Sequence, residues 1–239
     1  GALVDALEEL ESRLGIGGTP IGVELMVETR RALVDDRGGL AIPRLVEAAR
    51  GRAVALHLGA YDLTSELGVT AGDQRLDHPF CDLARALARL STALPIADGA
   101  TTQLPIADPK ATPQAQAASI HEAWRVHARN VTRAIDLGIW QGWDLHPAQL
   151  PARYGALFGH FLAKRADLAP RLRAFLDRAM QATRVGQAFD DAATGQALVT
   201  FFRQGFACGA LDEADVRAAT LTLEELDRPF AWIVQARCG

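Results

Sequence analysis

Lysine is almost missing from this chain of 239 residues: Lys110 and Lys164 stand against twenty-three arginines. Imine chemistry needs a lysine of depressed pKa on an element that reaches the substrate. Lys110 lies in a proline-flanked loop and Lys164 in a late helical stretch, so a Schiff-base mechanism is disfavoured. The same bias, together with abundant alanine, is the usual mark of a GC-rich bacterial genome. Cysteine is scarce as well. Cys81, Cys208 and Cys238 are far apart and form no CxxC pair, which leads us to expect reduced thiols and a cytoplasmic location. A net charge of −4 leaves no basic field for nucleic acid and no polybasic stretch for a membrane surface. No apolar run has the length of a membrane span and no signal-peptide pattern opens the chain. No glycine-rich phosphate loop follows a strand: Gly15-Ile16-Gly17-Gly18 precedes one, which is the wrong context for a nucleotide. Internal repeats and low-complexity tracts are also lacking. The chain starts on Gly1 without an initiator methionine, and a processed, tagged or truncated start is expected.

What is present is an ordinary globular composition, 49% apolar and 23% charged, enough for one large domain or a domain with an appendage. Residues 2–14 show a helical stripe of Leu3, Ala6, Leu7, Leu10 and Leu14. Two short runs rich in β-branched and aliphatic residues, 21–29 and 53–63, read as strands flanking a helix over 40–49. A helix over 81–94, a weaker strand over 94–98, a helix over 113–137 stopped by Gly138, and a short strand over 142–145 complete an alternating series. Beyond about residue 158 the pattern turns entirely helical, over 168–182, 195–206 and 212–219. Thr222 and Glu225 then form a capping box for a last helix. The expected organisation is an α/β portion over 1–157 and a helical extension over 158–239. The apolar run 197–206 suits an interface and predicts a homo-oligomer.

The first two runs each end on a carboxylate, Glu28 and Asp62. In a βαβ pattern the strands are parallel neighbours, so both acids emerge at one carboxyl edge, where α/β proteins place their chemistry. Two carboxylates there, with no lysine or arginine between them in the strands themselves, make a seat for a hard divalent cation. Helix caps or arginine partners are the competing roles for the same two acids. Gly59 and Ala60 are small where backbone amides can approach a ligand, or where strand and helix simply pack closely. His146, fixed before Pro147 at a strand end, is a candidate catalytic or site-wall residue, and equally a histidine hydrogen-bonded into the rim. Glu24 shares strand parity with Glu28 and His57 with Gly59, giving a polar pair that is more simply structural. Asp98 before Gly99 reads foremost as a turn residue. Trp124, Trp140, Trp143 and Trp232 read as core or interface aromatics, and the spacing of His121 and His127 is wrong for a metal on one helix face.

Four motifs in order carry a resemblance. Val27-Glu28-Thr29, then Gly59-Ala60-Tyr61-Asp62-Leu63 with Leu67-Gly68, then Asp98-Gly99, then Gly142-Trp143-Asp144-Leu145-His146-Pro147-Ala148-Gln149 resemble the metal-dependent aldolase and citrate lyase β-subunit (HpcH/HpaI aldolase) family. That group includes hydroxy-oxo-acid aldolases and malyl-CoA lyases. The resemblance covers residues 21–150. It implies a (β/α)8 TIM-barrel type of fold in which these strands are the fifth to eighth, the first four and the family's N-terminal arginine lying outside this sequence. It further implies Mg2+ or Mn2+ held by Glu28 and Asp62, with substrate bound near Gly59 and Ala60. The implied reaction is aldol or Claisen-type cleavage or condensation of a 2-oxo acid or hydroxyacyl-CoA. The rival expectation is a non-catalytic or truncated barrel acting as a subunit or binding module.

Overall fold

A computed structural model of the chain describes residues 1–16, 20–185 and 191–238. It contains two compact units, Gly1–Arg153 and Tyr154–Gly239. In the first, four strands, β1 (Val23–Val27), β2 (Ala53–Leu58), β3 (Ile96–Asp98) and β4 (Gln141–Gly142), form one parallel sheet in the order β1-β2-β3-β4. Parallel neighbours need a crossover, and helices supply it. α1 (Ala2–Leu14) precedes β1. α2 (Arg30–Leu33) and α3 (Ile42–Ala48) join β1 to β2, α4 (Ala60–Glu66) and α5 (Pro79–Ser91) join β2 to β3, and α6 (Pro113–Asp136) joins β3 to β4. The core lies between sheet and helices, where Leu56, Leu58 and Ile96 meet Leu63, Cys81 and Ala134. Burial of Cys81 pushes its thiol up to about 11, which keeps it an unreactive core residue.

Each strand is shorter than its apolar run. The first run ends as a strand at Val27 because the Thr29 side chain accepts from Ala32 N and caps α2, a helix the hydrophobic pattern does not announce. The second ends at Leu58, since Ala60, Leu63 and Thr64 bury at helical spacing in α4. Asp62 therefore sits in the first turn of a helix, where a carboxylate complements the helix dipole, and not on a strand. The stripe expected to bury α1 does not: Leu3 is 61% and Leu14 63% exposed, and Val4 is the helix's buried residue. Polar pairs hold α1 instead. Glu11 receives Arg52 at 2.7 and 2.8 Å and Ile21 N at 2.6 Å, and Asp5 pairs with Arg50. Gly17, Gly18 and Thr19, part of the expected link between the first helix and the first strand, lie outside the described residues.

The described part of the second unit is helical: α7 (Leu150–Arg184), which starts in the first unit, then α8 (Ala192–Ala207), α9 (Glu213–Ala218), α10 (Leu223–Leu226) and α11 (Phe230–Cys238). The stretch expected over 168–182 is only the second half of α7, which runs 35 residues and carries Pro170 inside it. Leu172, Leu176 and Ala179 continue its buried stripe past the proline, and that packing outweighs the one backbone bond proline removes. The capping box of Thr222 and Glu225 is formed, but it closes the single turn α10, and α11 follows. The run 197–206 is not a free interface. Val199 and Phe202 are fully buried and Leu198 and Phe201 nearly so, and Gly205 is packed so closely that a Cβ there would meet Leu211 at 2.6 Å.

Candidate active site

The last register pair of the first two strands is Val27 with Leu58, so the chain leaves β1 at Glu28 and β2 at Gly59 on one carboxyl edge. Gly59 N donates to Val27 O at 3.0 Å, which occupies that amide. The Ala60 amide opens α4, where a first-turn N–H has no intrahelical acceptor. A Cβ on Gly59 would stand 2.3 Å from the Glu28 Cβ and 3.1 Å from its Oε2. Glycine is thus required here by the Glu28 side chain lying across it. Glu28 is half-buried and Asp62 exposed. Among the described residues neither takes an ion pair or a side-chain hydrogen bond, and Arg30, the nearest arginine in sequence, bonds through its amide to Glu66 Oε2 at 2.6 Å. Both acids present hard oxygen donors suited to magnesium, which keeps waters beside one or two carboxylates. Among the described residues no group of three or more histidine, cysteine, aspartate or glutamate side chains could hold a metal.

In-register pairing puts Met26, His57, Ala97 and Gln141 in one row of the sheet, and strand alternation puts Glu24, His57 and Gly59 on the face opposite Leu56 and Leu58. Glu24 Oε2 and His57 Nδ1 are 3.1 Å apart and partly exposed, and Trp143 stacks on His57 with ring centroids 5.7 Å apart. Asp98 points the other way. It is buried and receives Arg85 through Nε at 2.8 Å and Nη2 at 3.1 Å, so it anchors α5 to β3. Its Oδ1 also accepts Gly99 N at 2.9 Å, but the turn role is the lesser one. Arg85 continues to Leu76 O and to Asp82, and Asp82 in turn pairs with Arg133 of α6, whose guanidinium holds the Asp82 carboxyl below the usual range.

A second polar cluster was not legible in the spacing. His127 of α6 is buried, with Nδ1 2.9 Å from Thr101 Oγ1 and Nε2 2.8 Å from Asp144 Oδ1; Asp144 Oδ2 receives Arg153 Nε at 2.6 Å. Burial, reinforced by the Arg153 charge, pushes the His127 pKa down despite Asp144, so the imidazole is neutral at pH 7. The available signal was helical phase: His127 lies four residues before Val131 and after Ala123, both buried. His146 serves a different purpose. Its Nδ1 accepts Ala148 N at 3.1 Å and caps the 3₁₀ turn Pro147–Gln149, while buried Gln149 accepts Leu145 N at 2.8 Å and donates to Thr101 O at 2.8 Å. The His-Pro-x-Gln motif therefore ties the end of β4 to the loop after β3. Trp124 donates to Ala148 O at 2.7 Å on the same turn.

Over residues 1–231 the chain matches the model of a family described as a domain of unknown function (DUF6986). A comparison with curated proteins gives no match. Among solved structures it is similar to a citrate lyase from Burkholderia xenovorans LB400, with a TM-score of 0.56 at 20% sequence identity, covering 91% of this chain and 63% of that one. The chain thus spans less than two thirds of that protein. The likeness gives it a citrate lyase-like α/β fold. None of the described helices is long and apolar enough to cross a membrane.

Proposed function

For a chain that belongs to the DUF6986 family and has a citrate lyase-like fold, we propose a divalent-metal-dependent carbon–carbon lyase in which Glu28 and Asp62 are the metal ligands. One observation carries this: two carboxylates free of ion pairs follow adjacent parallel strands at the same edge. The caps and arginine partners that would explain them otherwise are not formed among the described residues. The sequential order of parallel strands supports strands five to eight of a (β/α)8 barrel, the arrangement in which loops at that edge build the site.

Bound there, magnesium or manganese would supply a Lewis acid for the oxygens of a 2-oxo acid or hydroxyacyl-CoA and for charge developing as the carbon–carbon bond breaks. The chain's own residues do the positioning. Glu28, held against Gly59 by the absence of a Cβ, presents its carboxylate from β1. Asp62 presents its own from the first turn of α4. The Ala60 amide, a donor at the start of α4, would donate to a substrate carboxylate oxygen.

Calorimetric titration of the chain with manganese, followed by metal-dependent proton exchange into pyruvate or oxaloacetate, tests the proposal. We expect saturable binding, with affinity lowered at least about tenfold in Glu28→Gln and in Asp62→Asn by loss of a charged ligand. Unchanged affinity and exchange in both variants would sink the metal assignment, and no cation binding by the unaltered chain would favour the non-catalytic module.

A further inference from the structure

On the helix side of the same sheet edge lies a cavity of about 420 Å³ whose walls include Arg75, Thr102, Gln103, Arg129, Asn130 and Arg133. Three separate segments supply them: the α4–α5 loop, the loop after β3, and two successive turns of α6. We propose that this cavity binds a compact oxyanion, of phosphate or carboxylate type, at a site separate from the metal ligands.

The argument starts from which cations are already neutralised. Arg133 is bound to Asp82, which also takes Arg85 at 2.9 Å, and Arg85 is matched by Asp98. That chain of two arginines and two aspartates is balanced. Arg75 is paired at 3.0 Å with Asp77, which also lines the cavity. Arg129 is different. The acid nearest to it, Glu122, receives Arg125 at 2.6 Å and stands 3.9 Å from Arg129. The Arg129 guanidinium therefore has only a long pairing, with a carboxylate it shares with Arg125, and it sits one helical turn from Arg133, a like-charge spacing that an anion between the two would relieve further. A guanidinium fork matches phosphate and carboxylate oxygens.

The wall opposite is rigid before any ligand arrives. Thr101 Oγ1 is held at 2.9 Å by both His127 Nδ1 and Asn130 Nδ2, and Thr101 O takes Gln149. Tyr61 donates its hydroxyl to Ala100 O at 3.0 Å, and its own carbonyl takes Gln74 at 3.0 Å. The Gln103 side-chain amide is left on the cavity wall as a neutral donor, and the Thr102 hydroxyl, which donates to the Tyr61 oxygen at 3.3 Å, can turn that proton to a ligand. Such pre-organisation removes much of the ordering cost of binding. A merely solvated arginine face requires neither the pinned wall nor the concavity.

The test is calorimetric titration of the chain, in metal-free buffer, with pyrophosphate and separately with citrate. We expect saturable binding of at least one, weakened about tenfold in Arg129→Gln by loss of a charge-assisted bond, weakened also in Arg75→Gln, reduced by added salt, and unaltered in Glu28→Gln. Tighter pyrophosphate binding identifies a phosphate ligand and tighter citrate binding a polycarboxylate. Arg129 is exposed, so its variant should melt as the parent does. Absence of binding by both anions, or affinity in Arg129→Gln equal to the parent's, overturns the proposal, whatever the outcome for the metal.

Discussion

At Gly59 a missing methyl group decides where a carboxylate goes. The Glu28 side chain occupies the space a Cβ would need, at 2.3 Å, so Gly59→Ala is expected to lower stability by about 1–3 kcal/mol through overpacking, measured by urea denaturation. The penalty should shrink in a Glu28→Gly background, because the colliding atom is then gone, and a double-mutant cycle reads that coupling directly. An additive cycle would show that Gly59 is needed for another reason. Glu28 was legible in the sequence because an acid ending a β-branched run is conspicuous. The contact with Gly59 was not, since it arises from strand register and lateral packing, which sequence spacing does not encode. His127 was missed for a related reason: metal-spacing rules ask about pairs on one helix, whereas its partners Thr101 and Asp144 come from two different loops.

Among the elements, α1 shows charge doing what an apolar stripe was expected to do. Arg52 and the Ile21 amide hold the Glu11 carboxyl down at about 2, from an ordinary 4.5. A carboxylate depressed on folding contributes stability that is present above its unfolded pKa and lost as pH falls through the folded one. Docking of α1 should therefore be intact above pH 4.5 and fail progressively down to pH 2. Hydrogen exchange or a fluorophore on α1 would follow it. Glu11→Gln should abolish that pH step, and its persistence in the variant would assign the step to another group. The alternation of strands and helices in residues 21–145 was readable because hydrophobic period and turn residues agree there. Element ends were not, because local caps set them: Thr29 starts α2 inside an apparent strand, and Pro170 sits within a helix it would ordinarily begin or break.

For the molecule as a whole, each compact unit has its own core, and three of the four tryptophans, Trp124, Trp140 and Trp143, belong to Gly1–Arg153. Indole emission therefore weights one unit, while far-ultraviolet circular dichroism weights the helices of both. Denaturant curves from the two probes are expected not to coincide. Asp98→Asn leaves the buried Arg85 guanidinium without its main carboxylate, a loss of about 3–5 kcal/mol, and should move the emission midpoint far more than the residual dichroism transition. Superimposable curves that shift together would instead make the chain one cooperative body. The stacking of Trp143 on His57 has an optical consequence. A ring lying flat against an indole perturbs its excited state, so His57→Ala is expected to change the emission of the native chain, with Trp143→Phe as the blank, and the stacked pair becomes an optical reporter of that face of the sheet.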